Sequence, residues 1–210
     1  MTLEHGTDRP LRDGDPRKRA AILAAARKLF AEVGYEAAGT DAIAAEADVS
    51  KRTMYDYFGG KAAIFATIVA DLRRSLHEEV EATAKRRLAP ITEPRHLEPG
   101  LRRFAQDLAD STLKSSNYAT LHRLLAGHPG GALADLHGGQ PAERILAGYL
   151  AEFGAAGLLT VPNAAVAADH FVALTMLLAL NKSNPWFSEG SPDIPAILRE
   201  GVRAFLRAYR

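Results

Sequence analysis

The sequence contains no cysteine, which excludes a disulfide framework, thiol catalysis and any zinc or iron–sulfur site held by thiolates. It also lacks a long hydrophobic run. The most apolar stretch, Phe171 to Leu180, is too short to span a bilayer, so no membrane partner is expected. Met1 to Pro16 is charged and carries Gly and Pro, unlike a signal peptide; the expected location is cytoplasmic. No charge of either sign dominates. With 26 Lys and Arg against 25 Asp and Glu the net charge is +1, so any affinity for nucleic acid must come from local concentration of positive charge. Alternating β-branched segments, internal repeats and low-complexity tracts are missing too. His122, His128, His137 and His170 lie on different segments and no pair shares a helix face at ligand spacing, so no metal is expected. No Gly-rich phosphate loop or Ser/His/Asp signature stands out. Neither a cofactor nor an enzymatic activity is therefore expected.

What remains is helical grammar. The 210 residues suffice for one large domain or two small ones with a real core, and Ala, Leu and Arg, all good helix formers, are abundant. The fold class is all-α. Residues 1–15 read as a flexible arm in which acids outnumber Arg9 and Arg12, unlike a basic arm that reads a minor groove. A first helix runs from about Pro16 to Val33: Ile22, Ala26, Leu29, Phe30 and Val33 form one apolar stripe, Asp15 caps it and Gly34 stops it. A second helix follows Gly39, with Ile43, Ala44 and Ala47 on one side. The turn Asp48-Val49 leads to Ser50, which caps a third helix over about Lys51–Tyr57. A fourth begins near Lys61 and continues to about Leu88. Prolines 90, 94 and 99 mark a linker, and helical segments follow near 99–114, 116–127, 141–157, 163–183 and 193–209. The domains are expected at 16–76 and 77–210.

Two short helices joined by a tight turn are a helix-turn-helix, here at about residues 39–58. Its second helix presents N-terminal side chains to DNA. Ser50, Lys51, Arg52 and Thr53 crowd that end with donors where the helix terminus already favours phosphate. Tyr55 and Tyr57 add hydroxyls on rigid rings, while Val49, Met54 and Phe58 face inward. Arg17, Lys18 and Arg19 open the first helix, and the acids Glu32, Glu36, Asp41, Glu46 and Asp48 are expected mostly elsewhere.

Residues 17–65 resemble the DNA-binding domain of the TetR family of transcriptional regulators. The resemblance rests on Ile22-Leu23, Ala25-Ala26, Leu29-Phe30-Ala31-Glu32 and Gly34-Tyr35, then Ile43-Ala44 and Ala47, then Val49-Ser50, Thr53, Tyr55, Tyr57-Phe58, Lys61 and Ile64-Phe65. It implies that Lys51, Arg52, Thr53, Tyr55 and Tyr57 face DNA and that Lys61 clamps a phosphate. Family members commonly carry hydroxyl residues where this chain has Ala38 and Gly39, and Thr40 can supply the missing contact. Asp48 stands where the family's turn usually has Gly, and Ala62 where an acid is usual; Asp tolerates the left-handed conformation, so the turn survives.

The resemblance further implies a C-terminal dimerisation domain, often with a ligand pocket, and repression relieved by that ligand. The helix capped by Asn163 is apolar all round from Phe171 to Leu180, as a helix buried on every side would be. The last helix carries a broad stripe (Ile197, Leu198, Val202, Phe205, Leu206, Tyr209) beside the small residues Gly201, Ala204 and Ala208. A homodimer through 163–182 and 195–209 is expected, with Gly201, Ala204, Phe205 and Ala208 at its interface and a near-palindromic double-stranded DNA operator as partner. A largely apolar small-molecule effector would lie among Phe104, Leu108, Tyr118, His122, Tyr149, Phe153, Phe171 and Met176. Trp186-Phe187 would line the pocket mouth or the dimer edge. The alternatives are a helical-bundle enzyme or lipid-binding protein, or a family member that activates or needs no effector.

Overall fold

The computed structural model describes residues 14–114, 116–126, 141–183 and 191–210. Among them there is no strand. The helices are α1 (Pro16–Ala37), α2 (Thr40–Glu46), α3 (Lys51–Phe58), α4 (Lys61–Arg87), α5 (Pro94–Lys114), α6 (Ser116–Ala126), α7 (Pro141–Ala155), α8 (Ala164–Ser183) and α9 (Ile194–Tyr209). The described chain forms two compact units, one of residues 14–73 with 120–126, the other of 74–119 and 141–210.

In the first unit the caps fall where the sequence places them. Asp15 Oδ1 accepts from the Arg17 N–H, and Pro16 takes the first helical position. Gly34, at φ 84°, breaks α1 one turn before its end, a conformation open to Gly without steric cost. Val33 drops out of the expected apolar stripe and is 54% exposed. Ile22, Ala26 and Phe30 of α1, Ile43 and Ala44 of α2, Met54 and Phe58 of α3 and Ile64, Phe65 and Ile68 of α4 are buried. A fully buried Met or Ile contributes roughly 1.5–3 kcal/mol, so Met54, at 0% exposure, is the main apolar anchor of the short α3.

The second unit is built on α5, α8 and α9, with α7 packed on α8. The proline linker is corrected here: Pro94 opens α5 and Pro99 lies within it. Proline in a helix interior costs about 3 kcal/mol. Leu97, Leu101 and Phe104, all essentially buried, offset that cost at about 1.5–3 kcal/mol each. Asn163 caps α8 through two backbone N–H groups, of Ala165 and Val166. The helix widens to a π turn at Ala173–Leu177. The buried Thr175 hydroxyl there donates to the Phe171 carbonyl at 2.6 Å. A Cβ on Gly201 of α9 would collide with the Leu174 carbonyl of this turn, so the two backbones touch where only glycine fits.

Candidate nucleic-acid interface

The turn between α2 and α3 closes by backbone chemistry. Asp48 is left-handed at φ 51°, its N–H donates to the Ala45 carbonyl at 3.1 Å, and the Val49 N–H donates to Ala44 at 3.0 Å. These two bonds satisfy the carbonyls that the end of α2 leaves unpaired. Ser50 then caps α3: its Oγ accepts from the Thr53 N–H at 3.0 Å and shares a hydrogen bond with Thr53 Oγ1 at 2.8 Å. Gly59, left-handed at φ 73°, ends the helix. Both ends of α3 are fixed locally and Met54 and Phe58 anchor its inner side. Its N-terminus and outer side are left to solvent.

Lys51 and Arg52 are both exposed, and Tyr55, at 43%, is among the most exposed large hydrophobics of the described chain. Arg17 is exposed at the start of α1. Thr40 opens α2 half-buried, behind Gly39, which caps without a side chain. Lys51 Nζ pairs with Asp41 at 2.9 Å, and this carboxylate raises the lysine's pKa. Asp41, expected away from the recognition helix, therefore stands beside the N-terminus of α3. Glu46 is bound at 2.7 Å to Lys28, whose pKa it raises. Arg52 pairs with Asp56 one turn on, at 4.0 Å. Solvent screens such exposed pairs, so they orient the basic side chains without holding them.

Two residues expected at the DNA sit on partners inside the unit. Lys61 Nζ donates to the carbonyls of Tyr35 at 2.9 Å and Glu36 at 3.3 Å, and lies 4.4 Å from the Tyr35 ring centroid. It thus closes the C-terminal end of α1. The ring beneath it belongs to a cluster, with Tyr35 4.9 Å from Phe65 and 5.5 Å from Phe30. Tyr57 donates to the Asp15 carbonyl at 3.4 Å, with Gly14 packed against its hydroxyl. Neither role is legible in the sequence, since each joins residues more than twenty positions apart. Arg19 lies 5.3 Å over the Phe58 ring and braces the same helix from α1.

In the second unit Phe104, Leu108, Phe153, Phe171 and Met176 belong to one apolar core, with Phe104 and Phe171 ring centroids 6.2 Å apart. Tyr149 packs against this core, half-buried; burial and then the charges of Glu152 and Glu81 push its hydroxyl pKa up. The side chains of Tyr118 and His122 lie outside the described residues, as do Trp186, Phe187, His128 and His137. Among the described residues no cluster of metal-ligand type occurs.

The expected dimer face is corrected at two positions. Gly201 meets α8 of its own chain, and Phe205 is fully buried, edge-on to Phe171 and stacked on Tyr209. Ala204 is half-buried and Ala208 exposed. Of the small-residue line, Gly201 serves packing within the chain. Conversely, α8 is not buried on every side. Val166, Leu174, Leu177 and Leu178 are 37–44% exposed along it. Counted over all of Ala164–Ser183, this helix is long and apolar enough to cross a membrane by length and composition alone, a property the ten-residue run hid.

Two family models match the chain. Bacterial regulatory proteins of the tetR family match residues 22–68, and the C-terminal domain of AefR-like transcriptional repressors matches residues 99–210, more than half of the chain. No curated protein matches. Among solved structures, the flavonoid-responsive regulator FrrA is 30% identical, with a TM-score of 0.70 over 93% of this chain and 98% of that one. A putative TetR-family transcriptional regulator of Mesorhizobium loti is 23% identical, with a TM-score of 0.74 over 92% and 96%. SmeT, the repressor of the Stenotrophomonas maltophilia multidrug efflux pump SmeDEF, shares the fold at 20% identity and a TM-score of 0.61 over 91% and 89%.

Proposed function

This chain belongs to the TetR family of bacterial transcriptional regulators and is a DNA-binding regulator; we propose that it works as a dimeric repressor released from its operator by a small-molecule effector. The observation that carries the dimer is the uncovered face of α8. Val166, Leu174, Leu177 and Leu178 expose large aliphatic side chains in one helix, and apolar surface gathered on one element in this way favours an interaction site. A second copy covers it by two-fold symmetry, each α8 meeting its mate. The same helix buries Ala167, Ala168 and Phe171 against its own chain, which favours a subunit face over a membrane span. The protein then acts in the cytoplasm, where the chromosome lies.

A symmetric dimer carries two α3 helices and therefore reads a near-palindromic operator. Lys51, Arg52 and Tyr55 make the outermost contacts, with Ser50, Thr53, Thr40 and Arg17 at the groove edge. Tyr57 ties α3 to Asp15 and Lys61 closes the end of α1, and both reach phosphate only from those held positions. FrrA is named for its response to flavonoids, and SmeT has been solved with triclosan. For this chain the corresponding effector is a largely apolar molecule held in the second unit near Tyr149, Phe153 and Phe171. An effector that prefers the DNA-incompetent form weakens operator binding by its own coupling factor.

A mobility-shift assay on DNA flanking the protein's own gene, with light scattering on the free protein, tests this reading. A retarded dimer complex that dissolves on adding the effector supports it. A monomer at micromolar concentration overturns it.

A further inference from the structure

The geometry points to a second ligand site, argued independently of the effector reading: an open basin at the α4–α5 corner that takes a small organic anion, a carboxylate or phosphate on a short apolar body. The basin measures about 270 Å³. His96, Gly100, Arg103 and Asp107 recur on α5 at spacings of four, three and four, which is one helix face. Arg86 and Arg87, the last residues of α4, meet that face.

Asp107 organises the guanidinium groups. Its Oδ2 accepts from Arg87 Nε at 2.8 Å and from Arg86 Nη2 at 3.1 Å, and Arg86 Nη2 also donates to Thr83 Oγ1 at 3.3 Å. Arg103, one turn from Asp107, has no ion pair among the described residues. Three guanidinium groups thus line or flank the basin against one carboxylate, an excess of two positive charges before His96 is counted. A concavity lined by one sign of charge concentrates the opposite ion. Arginine offers only donors, in a planar fork that fits carboxylate and phosphate oxygens.

The remaining wall is apolar, made by Pro90, Ile91 and Pro99. It gives a ring or short chain a surface to lie on. Gly100 keeps the corner closed, since a Cβ there would press into the Ile91 side chain and within 3.2 Å of the Arg87 carbonyl. The volume limits the ligand to a single ring or a comparable chain.

Calorimetric titration of the full-length protein with benzoate, phenyl phosphate and inorganic phosphate tests the site. Saturable binding of benzoate or phenyl phosphate is expected, and the tighter of the two names the headgroup. Arg103→Gln, which leaves the Asp107 network intact, is expected to weaken that binding roughly tenfold. Arg102→Gln, beside it but outside the basin, is expected to leave it unchanged. In the wild type, the bound anion should protect Arg103 from phenylglyoxal and leave Arg102 reactive, which needs no variant to fold. Absence of saturable binding at millimolar ligand, equal losses in both variants, unprotected Arg103, or inorganic phosphate binding as well as phenyl phosphate each overturns the proposal. Anion binding without operator release supports the site all the same, because nothing in it depends on the effector reading.

Discussion

The N-terminal edge of α3 and the outer face of α8 both expose side chains to water, with opposite chemistry. At α3 the exposed groups are a lysine, an arginine and a tyrosine, each content in solvent, the two cations loosely steered by Asp41 and Asp56. At α8 they are valine and leucine, which water solvates at a cost. Solvent alone explains the first surface, so its function rests on position at a helix N-terminus inside a helix-turn-helix. The second surface is the one the proposed dimer covers. Polar exposure becomes informative through arrangement, and apolar exposure through its gathering on one face.

The sharpest way to break this contrast is to charge the apolar face. Leu177→Asp should cost on the order of 5 kcal/mol in dimerisation, since two-fold symmetry buries the unpaired carboxylate twice. Light scattering should then report monomer while circular dichroism stays helical. Gly201→Val should lower folding stability by about 3 kcal/mol in urea unfolding, because the added carbons meet a backbone carbonyl that cannot turn aside. Gly39→Ala, with nothing within 4 Å of the added Cβ, should cost far less. At α3, Lys51→Ala should weaken operator binding about tenfold and lower the slope of log affinity against log salt by about 1, largely independent of DNA sequence. Ser50→Ala should cost about 1 kcal/mol of stability through the lost cap.

The smallest effect is in pH dependence. Hydrogen bonding from Arg87, helped by Arg86 and opposed by partial burial, holds Asp107 below the usual carboxylate range. The native state then binds fewer protons than the unfolded state, so this contribution is present at neutral pH and is lost as pH falls through the lowered native value. Asp107→Asn should flatten that acid limb of the stability curve.

Much of the first unit was legible because its determinants are local. Asp15, Ser50 and Asp48 act on backbone groups within a few residues, as Asn163 does in the second unit, so cap and turn chemistry can be read from neighbours. The order of helices and the inward set Met54 and Phe58 follow from periodicity alone. The second unit yielded less. Periodicity marked the 171–180 stretch as apolar all round, and full burial was the natural reading. It did not show that part of that surface is left uncovered by the chain's own helices. The small residues of α9 could serve a contact with another subunit or with α8, and spacing cannot tell these apart. The π turn, which brings the Leu174 carbonyl against Gly201, has no signature in the pattern.

The sequence by itself determined the all-α class, the helix-turn-helix with its caps, and the polar chemistry that α3 exposes, because each depends on contacts within a turn or two of helix. Only the tertiary structure decided that Lys61 and Tyr57 are held on carbonyls of residues 35, 36 and 15, that Gly201 and Phe205 belong to the core, and that three arginines meet around one aspartate. Those pairings join residues distant along the chain, and their free energy comes from geometry that exists only once the helices have packed.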